Sequence, residues 1–152
     1  LVATMTLQNL LGVSLDAVRP DREQAMRLLA AAERNLADAQ LAALSNENRF
    51  DAAYKAIMQL AMLALHANGF RTLTSRPGHH QTAIQTLPQT IGLPVERMIV
   101  LDALRKQRNL SDYSGDVVQA SAVRECFDSA SALLIDVKAW MDGNKPELLH
   151  AQ

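Results

Sequence analysis

The sequence predicts an all-α protein, an up-and-down antiparallel bundle of about five helices, four long and one short. Apolar residues make up 49% of the 152 residues, and most of them are Ala and Leu, which adopt helix at little entropic cost. Aromatic residues contribute only 4%, which disfavours a sheet. Apolar residues also recur at steps of three and four along several long segments, and that spacing is the helical period.

We expect one domain with a short extension at each end. Residues 1–19 contain several leucines and are expected to form an N-terminal arm that packs on the bundle. Residues 20–143 are expected to form the bundle itself. Residues 144–152 follow Gly143, which should stop the last helix, and are predicted to be a frayed tail.

Capping signals mark the start of the first two long helices. Asp21 is a good N-cap with Gln24 in the capping-box position, and residues 45–48 offer the next cap. The buried stripe of the first helix is predicted to be Ala25, Leu29, Ala32, Leu36, Ala39 and Ala43. That of the second helix is predicted to be Phe50, Ala53, Tyr54, Ile57, Leu60, Ala61 and Ala64.

The second helix has a further apolar face, formed by Met58, Met62 and Leu65. A helix that is apolar on two faces is either central in its bundle or shared with another subunit. Because this further face needs cover, we expect a homodimer.

The predicted elements in the middle of the chain are shorter. Residues 71–78 are predicted to be an exposed loop, followed by a short helix over about residues 79–87 that Pro88 ends or kinks. Pro94 is well placed in the first turn of a fourth helix, which we expect to run to about Leu110.

The last helix shows the clearest period and is predicted to begin between Asp116 and Ser121. The only cysteine, Cys126, falls within its apolar stripe, so we expect packing and not reactivity there. A single cysteine also excludes an internal disulfide and a multi-cysteine zinc site. The stripe is predicted to be Val123, Cys126, Phe127, Ala130, Leu133, Leu134, Val137, Trp140 and Met141.

Charge and motif content exclude several classes of function. The net charge is −1, so any contact with nucleic acid would need a local basic patch. No apolar stretch is long enough for a membrane span, and we expect a cytoplasmic protein with no membrane contact. Walker-type loops, dinucleotide-binding glycine motifs, HExxH and CxxC pairs are absent, so we predict neither a metal nor a cofactor.

Arg108 has the most informative position in the sequence. The apolar line of the fourth helix runs through Leu101 and Leu104 and reaches Arg108 at the next helical step. A guanidinium on a buried stripe needs a partner, because leaving it unpaired costs several kcal/mol. It should therefore lie at a cleft, in an ion pair or at a subunit interface. Asp112, four residues on, is its candidate partner within the helix.

From spacing alone, an internal ion pair between Arg108 and Asp112 is the main alternative to an anion-binding site. Neighbouring cations and polar residues extend the possible site along the helix. The candidate binding residues are Arg105, Lys106, Arg108, Asn109, Asp112 and Tyr113.

His79 and His80 are secondary candidates. Adjacent residues on a helix point about 100° apart, so this pair cannot chelate one metal side by side. At a helix start, a cap or a loop contact is the expected use. A functional role would require one of them to fold toward Arg108.

Residues 105–113, RKQRNLSDY, resemble the end of the fourth helix in HEPN domains (higher eukaryotes and prokaryotes nucleotide-binding). The resemblance extends over about residues 20–142. It includes LLAAAERNLADAQ in the first helix, RFDAAYKAIMQLAMLALHANGFR in the second, GHH before the third and VKAWM in the last.

The resemblance implies a bundle that usually dimerises through the faces bearing its motif. Members of that family are commonly encoded beside small nucleotidyltransferases in toxin–antitoxin pairs, and others are metal-independent ribonucleases. In the nucleases the motif is an arginine, a polar residue and a histidine four to six positions after the arginine. Arg108 and Asn109 match its first two positions, but Asp112, Tyr113 and Ser114 occupy the histidine positions.

The missing histidine matters because cleavage of RNA by its own 2′-hydroxyl needs a base near neutral pH, which tyrosine supplies poorly. Our first hypothesis is therefore a binding module that uses the Arg108 region to engage RNA, a nucleotide or a partner protein such as a nucleotidyltransferase, and that is not a competent nuclease. One alternative is a metal-independent ribonuclease that uses Arg108 and Asn109 with a non-standard base. The other is a structural dimeric partner whose Arg108–Asp112 pair is internal.

Overall fold

The computed structural model describes residues 6–150 and confirms the predicted helical bundle. Its helices are α1 (Arg22–Ala39), α2 (Asn46–Ala67), α3 (His79–Gln85), α4 (Leu87–Ile91), α5 (Val95–Ser114) and α6 (Ala120–Asn144). Two short strands, β1 (Leu15–Ala17) and β2 (Phe70–Thr72), pair antiparallel. The predicted short helix is present as α3 and α4, which are separated at Thr86 just before Pro88. The four long helices match the predicted number.

Helix α2 is the centre of the bundle, packed between α1 and α6. Every residue of its predicted main stripe is buried. Small alanines on α1 and α2 let these two helices approach closely. No helix within residues 6–150 combines the length and the apolar content that a bilayer crossing requires.

The second apolar face of α2 is covered by the chain itself. Met58 and Leu65 are buried, and only Met62 of the three remains exposed. Two of the three side chains are therefore covered by the chain itself, because α2 is central in the bundle. The homodimer that we expected from this face stays a prediction.

The caps of the first two helices follow the predicted chemistry. The backbone N–H of Gln24 donates to Asp21 Oδ2 at 2.9 Å, and that of Asn48 donates to Ser45 Oγ at 3.1 Å. Helix α1 ends at Ala39, so Ala43, which we predicted to be buried, is exposed in the connection. The period of alanines continues past the residue where the backbone stops being helical.

Where the sequence predicts a loop over residues 71–78, the chain first forms β2. Its Arg71 pairs in register with Asp16 of β1, and the two side chains are joined by a salt bridge of 2.9 Å. In the arm, Leu15 is fully buried, which ties this segment to the core. Residues 1–5 of the predicted arm lie outside the described residues.

The segment after α6 also differs from the predicted frayed tail. Pro146–Leu148 forms a short 3-10 turn in which Leu148 is buried, and this turn packs against α1 and α6. Leu148 is buried in the core, and the neighbouring Leu149 packs against the core as well, so apolar burial holds this turn on the bundle. Residues 151–152 lie outside the described residues.

Cys126 is fully buried on α6, as its place in the apolar stripe predicts. Its thiol donates a weak hydrogen bond to the carbonyl oxygen of Phe50 on α2, with a sulfur–oxygen distance of 3.8 Å. Burial raises the pKa of the thiol to about 12, with a further contribution from nearby carboxylates. The thiol is therefore a packing group between α2 and α6.

Candidate functional site

Arg108 lies on the inward side of α5, one turn beyond the buried Leu104. This side of α5 packs on α3 and α2. The Arg108 side chain is 25% exposed, so it sits at the rim of the bundle and not inside it. The apolar stripe of α5 thus ends at a charged side chain that borders the core on one side and solvent on the other.

Two carboxylates hold Arg108. Its Nε donates to Asp51 Oδ1 of α2 at 3.1 Å and lies 3.7 Å from Asp112 Oδ2. Lys55 approaches the other oxygen of Asp51 at 3.4 Å. Within residues 6–150, the two terminal nitrogens of the guanidinium donate no hydrogen bond to a protein atom. The arginine is therefore anchored through Nε, while its outer edge keeps donors available.

The ring of Tyr54 lies beneath the guanidinium. Arg108 Cζ is 5.1 Å from the ring centroid, within the range of a cation–π contact. Tyr54 is only 1% exposed. Burial raises the pKa of its phenol to about 12, although the positive charges of Arg108 and Arg105 act in the opposite direction. The phenol is therefore protonated at neutral pH.

His80, in the first turn of α3, contacts the same tyrosine. Its Nδ1 is 3.3 Å from the Tyr54 hydroxyl, and the two ring centroids are 6.1 Å apart. The ring of His79 meets that of His80 edge-on at 4.7 Å. Burial lowers the pKa of His80, and the positive charges of His79, Arg108 and Arg105 lower it further. The lowered pKa favours the neutral form of the His80 imidazole.

We call Asp51, Tyr54, His80, Arg108 and Asp112 the Arg108 cluster. It joins α2, α3 and α5, three elements that are distant in sequence. Asp112 and His80 were candidates from the sequence, whereas Asp51 and Tyr54 were missed as site residues. The available signal was a carboxylate three residues before the only tyrosine of an alanine-rich central helix.

Arg105, also predicted to bind, is engaged internally. Its Nε donates to Asp102 Oδ1 at 2.8 Å, and both side chains are largely buried. Burial by itself raises the pKa of Asp102, but the hydrogen bond and the charge of Arg105 outweigh it and hold that pKa below the usual value. Arg105 therefore contributes positive charge near Arg108, but its guanidinium is engaged with Asp102 and is not exposed for ligand binding.

The other predicted binding residues lie on a different side of α5. Lys106, Asn109 and Tyr113 are exposed, and Lys106 lies 3.7 Å from Asp102 Oδ2. At 100° per residue, Tyr113 points about 140° away from Arg108. The structure thus does not bring Tyr113 or Lys106 into the Arg108 cluster.

The charged groups of the Arg108 cluster are one guanidinium and the carboxylates of Asp51 and Asp112. Within the described part of the chain, no group of three or more His, Cys, Asp or Glu side chains could hold a metal ion. The acids near Arg108 are instead shared with cations. A planar guanidinium with free outer donors matches two oxygens of a phosphate or carboxylate.

Two cavities among the described residues lie away from the Arg108 cluster. One of about 210 Å³ opens between α1, α2 and β2 and is lined in part by Leu28, Met62 and Phe70. Another, of about 130 Å³, lies between the N-terminal segment and α3 and α4. Neither cavity is lined by Arg108, whose side chain lies at the rim of the bundle.

The resemblance to HEPN domains rests on the motif of residues 105–113 and on the order of the helices. The fold and the position of Arg108 do not depend on that resemblance, because the contacts within this chain define both. In comparisons with known proteins, no family model, no curated protein and no solved structure matches this chain.

Proposed function

We propose that the Arg108 cluster binds a phosphate group and that the chain is an HEPN-like binding module for RNA or a nucleotide. The observation that supports this most directly is the way Arg108 is held. Tyr54 and Asp51 fix the guanidinium from below and through Nε, the side chain is 25% exposed, and within residues 6–150 its terminal nitrogens donate no hydrogen bond. An arginine already fixed in this way loses little conformational entropy when an anion binds.

The neighbouring acids limit the strength of the site. Asp51 remains with Arg108 and Lys55, whereas Asp112 is largely exposed and only 3.7 Å from Nε, so an arriving phosphate can replace it. We therefore expect one phosphate to be neutralised at the cluster. Binding should weaken with salt at a slope on the order of one phosphate contact, far below that of proteins with extended basic surfaces.

The cellular setting that we propose comes from the resemblance alone. HEPN-like modules are commonly encoded beside small nucleotidyltransferases, so such an enzyme is the proposed partner protein. Under this proposal the partner and the phosphate ligand would share the region around α5.

The proposal is tested by fluorescence polarisation with labelled single-stranded RNA and with labelled ATP, at low and at physiological salt. Arg108→Met removes the guanidinium but keeps an unbranched apolar stem. The matched control is Arg97→Met, because Arg97 is on the same helix and is likewise paired, with Asp136. We expect Arg108→Met to lose most binding and Arg97→Met to retain it. Equal binding by both variants, or no binding by the wild-type chain at low salt, would reject the proposal.

A second function, metal-independent ribonuclease activity, is favoured by one observation: His80 lies against the Tyr54 ring that also carries Arg108. In the tautomer whose Nδ1–H donates to the Tyr54 oxygen, Nε2 has a free lone pair. That nitrogen would take the proton of an RNA 2′-hydroxyl. The 2′ oxygen would then bond to phosphorus as the bond to the 5′ oxygen breaks, and the leaving oxygen would take a proton from water.

The two functions predict different results for His80→Asn. If His80 is the base, the wild-type chain degrades single-stranded RNA in the presence of EDTA to fragments ending in a 2′,3′-cyclic phosphate. His80→Asn would then abolish cleavage and retain binding. If the chain is only a binding module, neither form cleaves RNA and both bind it. Cleavage that persists in His80→Asn would exclude His80 as the base of such a ribonuclease.

A further inference from the structure

The cavity of about 210 Å³ between α1, α2 and β2 has an apolar interior. Leu28 of α1, Met62 and Leu65 of α2, and Phe70 of β2 line it. Leu65 is fully buried, whereas Met62 is 40% exposed, so the cavity runs from the core to the surface. A dry cavity of about 150 Å³ is large enough to hold benzene in a protein interior. This cavity therefore has room for a six-membered ring with a short substituent.

His66 of α2 also lines this cavity, and its hydrogen bond to the chain assigns its tautomer. The backbone N–H of Asp21 donates to His66 Nε2 at 2.9 Å. Within residues 6–150 that N–H has no other acceptor, whereas the carbonyl oxygen of Asp21, 3.1 Å from Nε2, already accepts from the N–H of Ala25. We therefore assign Nε2 as the acceptor and place the proton on Nδ1. Nδ1–H donates to no protein atom in that range.

The other polar side chains around the cavity are donors as well. Gln24 Oε1 accepts from the guanidinium of Arg27, and the amide N–H groups of Gln24 donate to no protein atom within residues 6–150. The hydroxyls of Thr72 and Thr74 likewise make no hydrogen bond there. No side-chain nitrogen or oxygen of the described residues is both buried and unpaired, so all of these donors are accessible.

Arg71 gives the cavity a positive charge. Its Nε and Nη2 donate to Asp16 Oδ2 at 3.3 and 2.9 Å, and Nη1 donates to no protein atom among residues 6–150. The side chain is 66% exposed, at the outer end of the cavity. In the part of the chain that the structure describes, no aspartate or glutamate lines the cavity. The polar part of its lining thus combines one guanidinium with several uncharged donors.

We infer that this cavity binds a small carboxylic acid with a compact apolar body, of the arylacetate kind. The ring packs among Leu28, Met62 and Phe70, and the flexible thioether of Met62 adapts to its outline. The carboxylate oxygens accept from the donors around the cavity, and Arg71 adds a charge-assisted contact. A neutral apolar compound leaves those donors unmatched, and an amine meets a cation with no carboxylate to pair with it.

This site is separate from the one in the proposed function. The cavity lies between α1, α2 and β2, whereas the Arg108 cluster joins α2, α3 and α5, and the two share no residue. The inference therefore does not rest on phosphate binding at Arg108. Arg108→Met should bind a small carboxylic acid as the wild type does.

The inference is tested by NMR of the full chain labelled with ¹³C at its methionine methyl groups. The Met62 resonance is assigned by its loss in Met62→Leu, and the buried Met141 of α6 is the internal reference. The probes are phenylacetate, 2-phenylethanol, which has the same ring without the carboxylate, and acetate, which has no ring. We expect phenylacetate to shift Met62 saturably and leave Met141 unmoved. Its affinity should exceed that of either other probe by roughly tenfold, because only phenylacetate has both an apolar ring and a charged acceptor.

Two variants test the two parts of the site. Leu28→Trp fills the cavity and should abolish binding of phenylacetate, whereas Leu41→Trp, at an exposed position after α1, should retain it. Arg71→Gln should lower the affinity for phenylacetate several-fold and leave that for 2-phenylethanol unchanged. Arg76→Gln, at an exposed position nearby, should alter neither.

The surface variant Arg71→Gln keeps the test decisive if Leu28→Trp fails to fold. Absence of a saturable Met62 shift in the wild type at millimolar phenylacetate would overturn the inference. Equal affinities for phenylacetate and 2-phenylethanol would overturn the assignment of a carboxylic acid. Failure of RNA or ATP to bind would leave these results unchanged, so this inference and the proposed function can fail separately.

Discussion

Replacing Arg108 by Met should lower the free energy of unfolding by about 2 kcal/mol. The substitution removes three interactions of the guanidinium and keeps most of its apolar stem. The hydrogen bond from Nε to Asp51 would be worth ~1.5–3 kcal/mol if it were buried. Both side chains are partly exposed, so solvent screening reduces it to ~1 kcal/mol.

The other two interactions are smaller. The contact of Arg108 with the buried ring of Tyr54 contributes ~1 kcal/mol, since one face of the cation is desolvated. The pair with Asp112, four residues on, contributes only ~0.3 kcal/mol at the exposed end of α5. For a chain of this length, a loss of ~2 kcal/mol corresponds to a fall in Tm of ~4–8 °C.

Thermal unfolding followed by circular dichroism, together with urea titration, measures this loss. Arg97→Met serves as the control, because Arg97 pairs with Asp136 but makes no cation–π contact within residues 6–150, and the substitution should cost at most ~1 kcal/mol. A double-mutant cycle with Asp51→Asn should give a coupling of ~1 kcal/mol. A loss below ~0.5 kcal/mol for Arg108→Met would refute the claim that Tyr54 and Asp51 anchor the guanidinium. A loss above ~4 kcal/mol would mean that the pair is sealed and structural, which would contradict an anion site.

Three further predictions concern titration and packing. Because burial lowers the pKa of His80, the unfolded chain binds a proton at this histidine at a higher pH than the folded chain does. The stability present above about pH 6.5 should therefore decline as the pH falls. In His80→Asn, the free energy of unfolding measured in urea should depend less on pH across that range. Because the pKa of Tyr54 is raised to about 12, stability present below pH 10 should be lost as the pH rises from 10 to 12, except in Tyr54→Phe. Leu148→Ala should cost ~2–3 kcal/mol in urea unfolding, although it lies near the C-terminal end.

Each of these has an outcome that would contradict it. A pH profile of His80→Asn identical to that of the wild type would show that another group controls acid stability. Parallel alkaline transitions for Tyr54→Phe and the wild type would show that the phenol does not stay protonated in the fold. A cost near zero for Leu148→Ala would mean that the last turn frays in solution.

The helices and their caps could be predicted because their determinants are local. Apolar spacing and the side chains at Asp21 and Ser45 act within one or two turns of the chain. The position of Arg108 at the edge of the core followed from the same period. Strand β2 could not be predicted, since three residues are too few to show an alternation and their partner lies 55 positions away in the chain.

Of the two carboxylates that contact Arg108, only one could be predicted from the sequence. Asp112 was predicted because it is one helical turn away, but Asp51, which is closer, belongs to another helix. No period relates two residues that meet only because α2 and α5 cross. The second face of α2 shows the same limit, because periodicity shows that Met58 and Leu65 are to be covered, but not whether the chain itself covers them.

The base of the candidate site is the ring of Tyr54, a buried residue of the central helix α2. Any movement of this ring would have to displace packed neighbours of α2, whereas the Asp112 side chain is 60% exposed near the end of α5. A ligand should therefore find the distance between imidazole and guanidinium already set, and only the rim should adjust to it. Selection among anions would then depend on their shape. An anion that contacts both the His80 and the Arg108 side chains should bind more tightly than one that contacts only one of them.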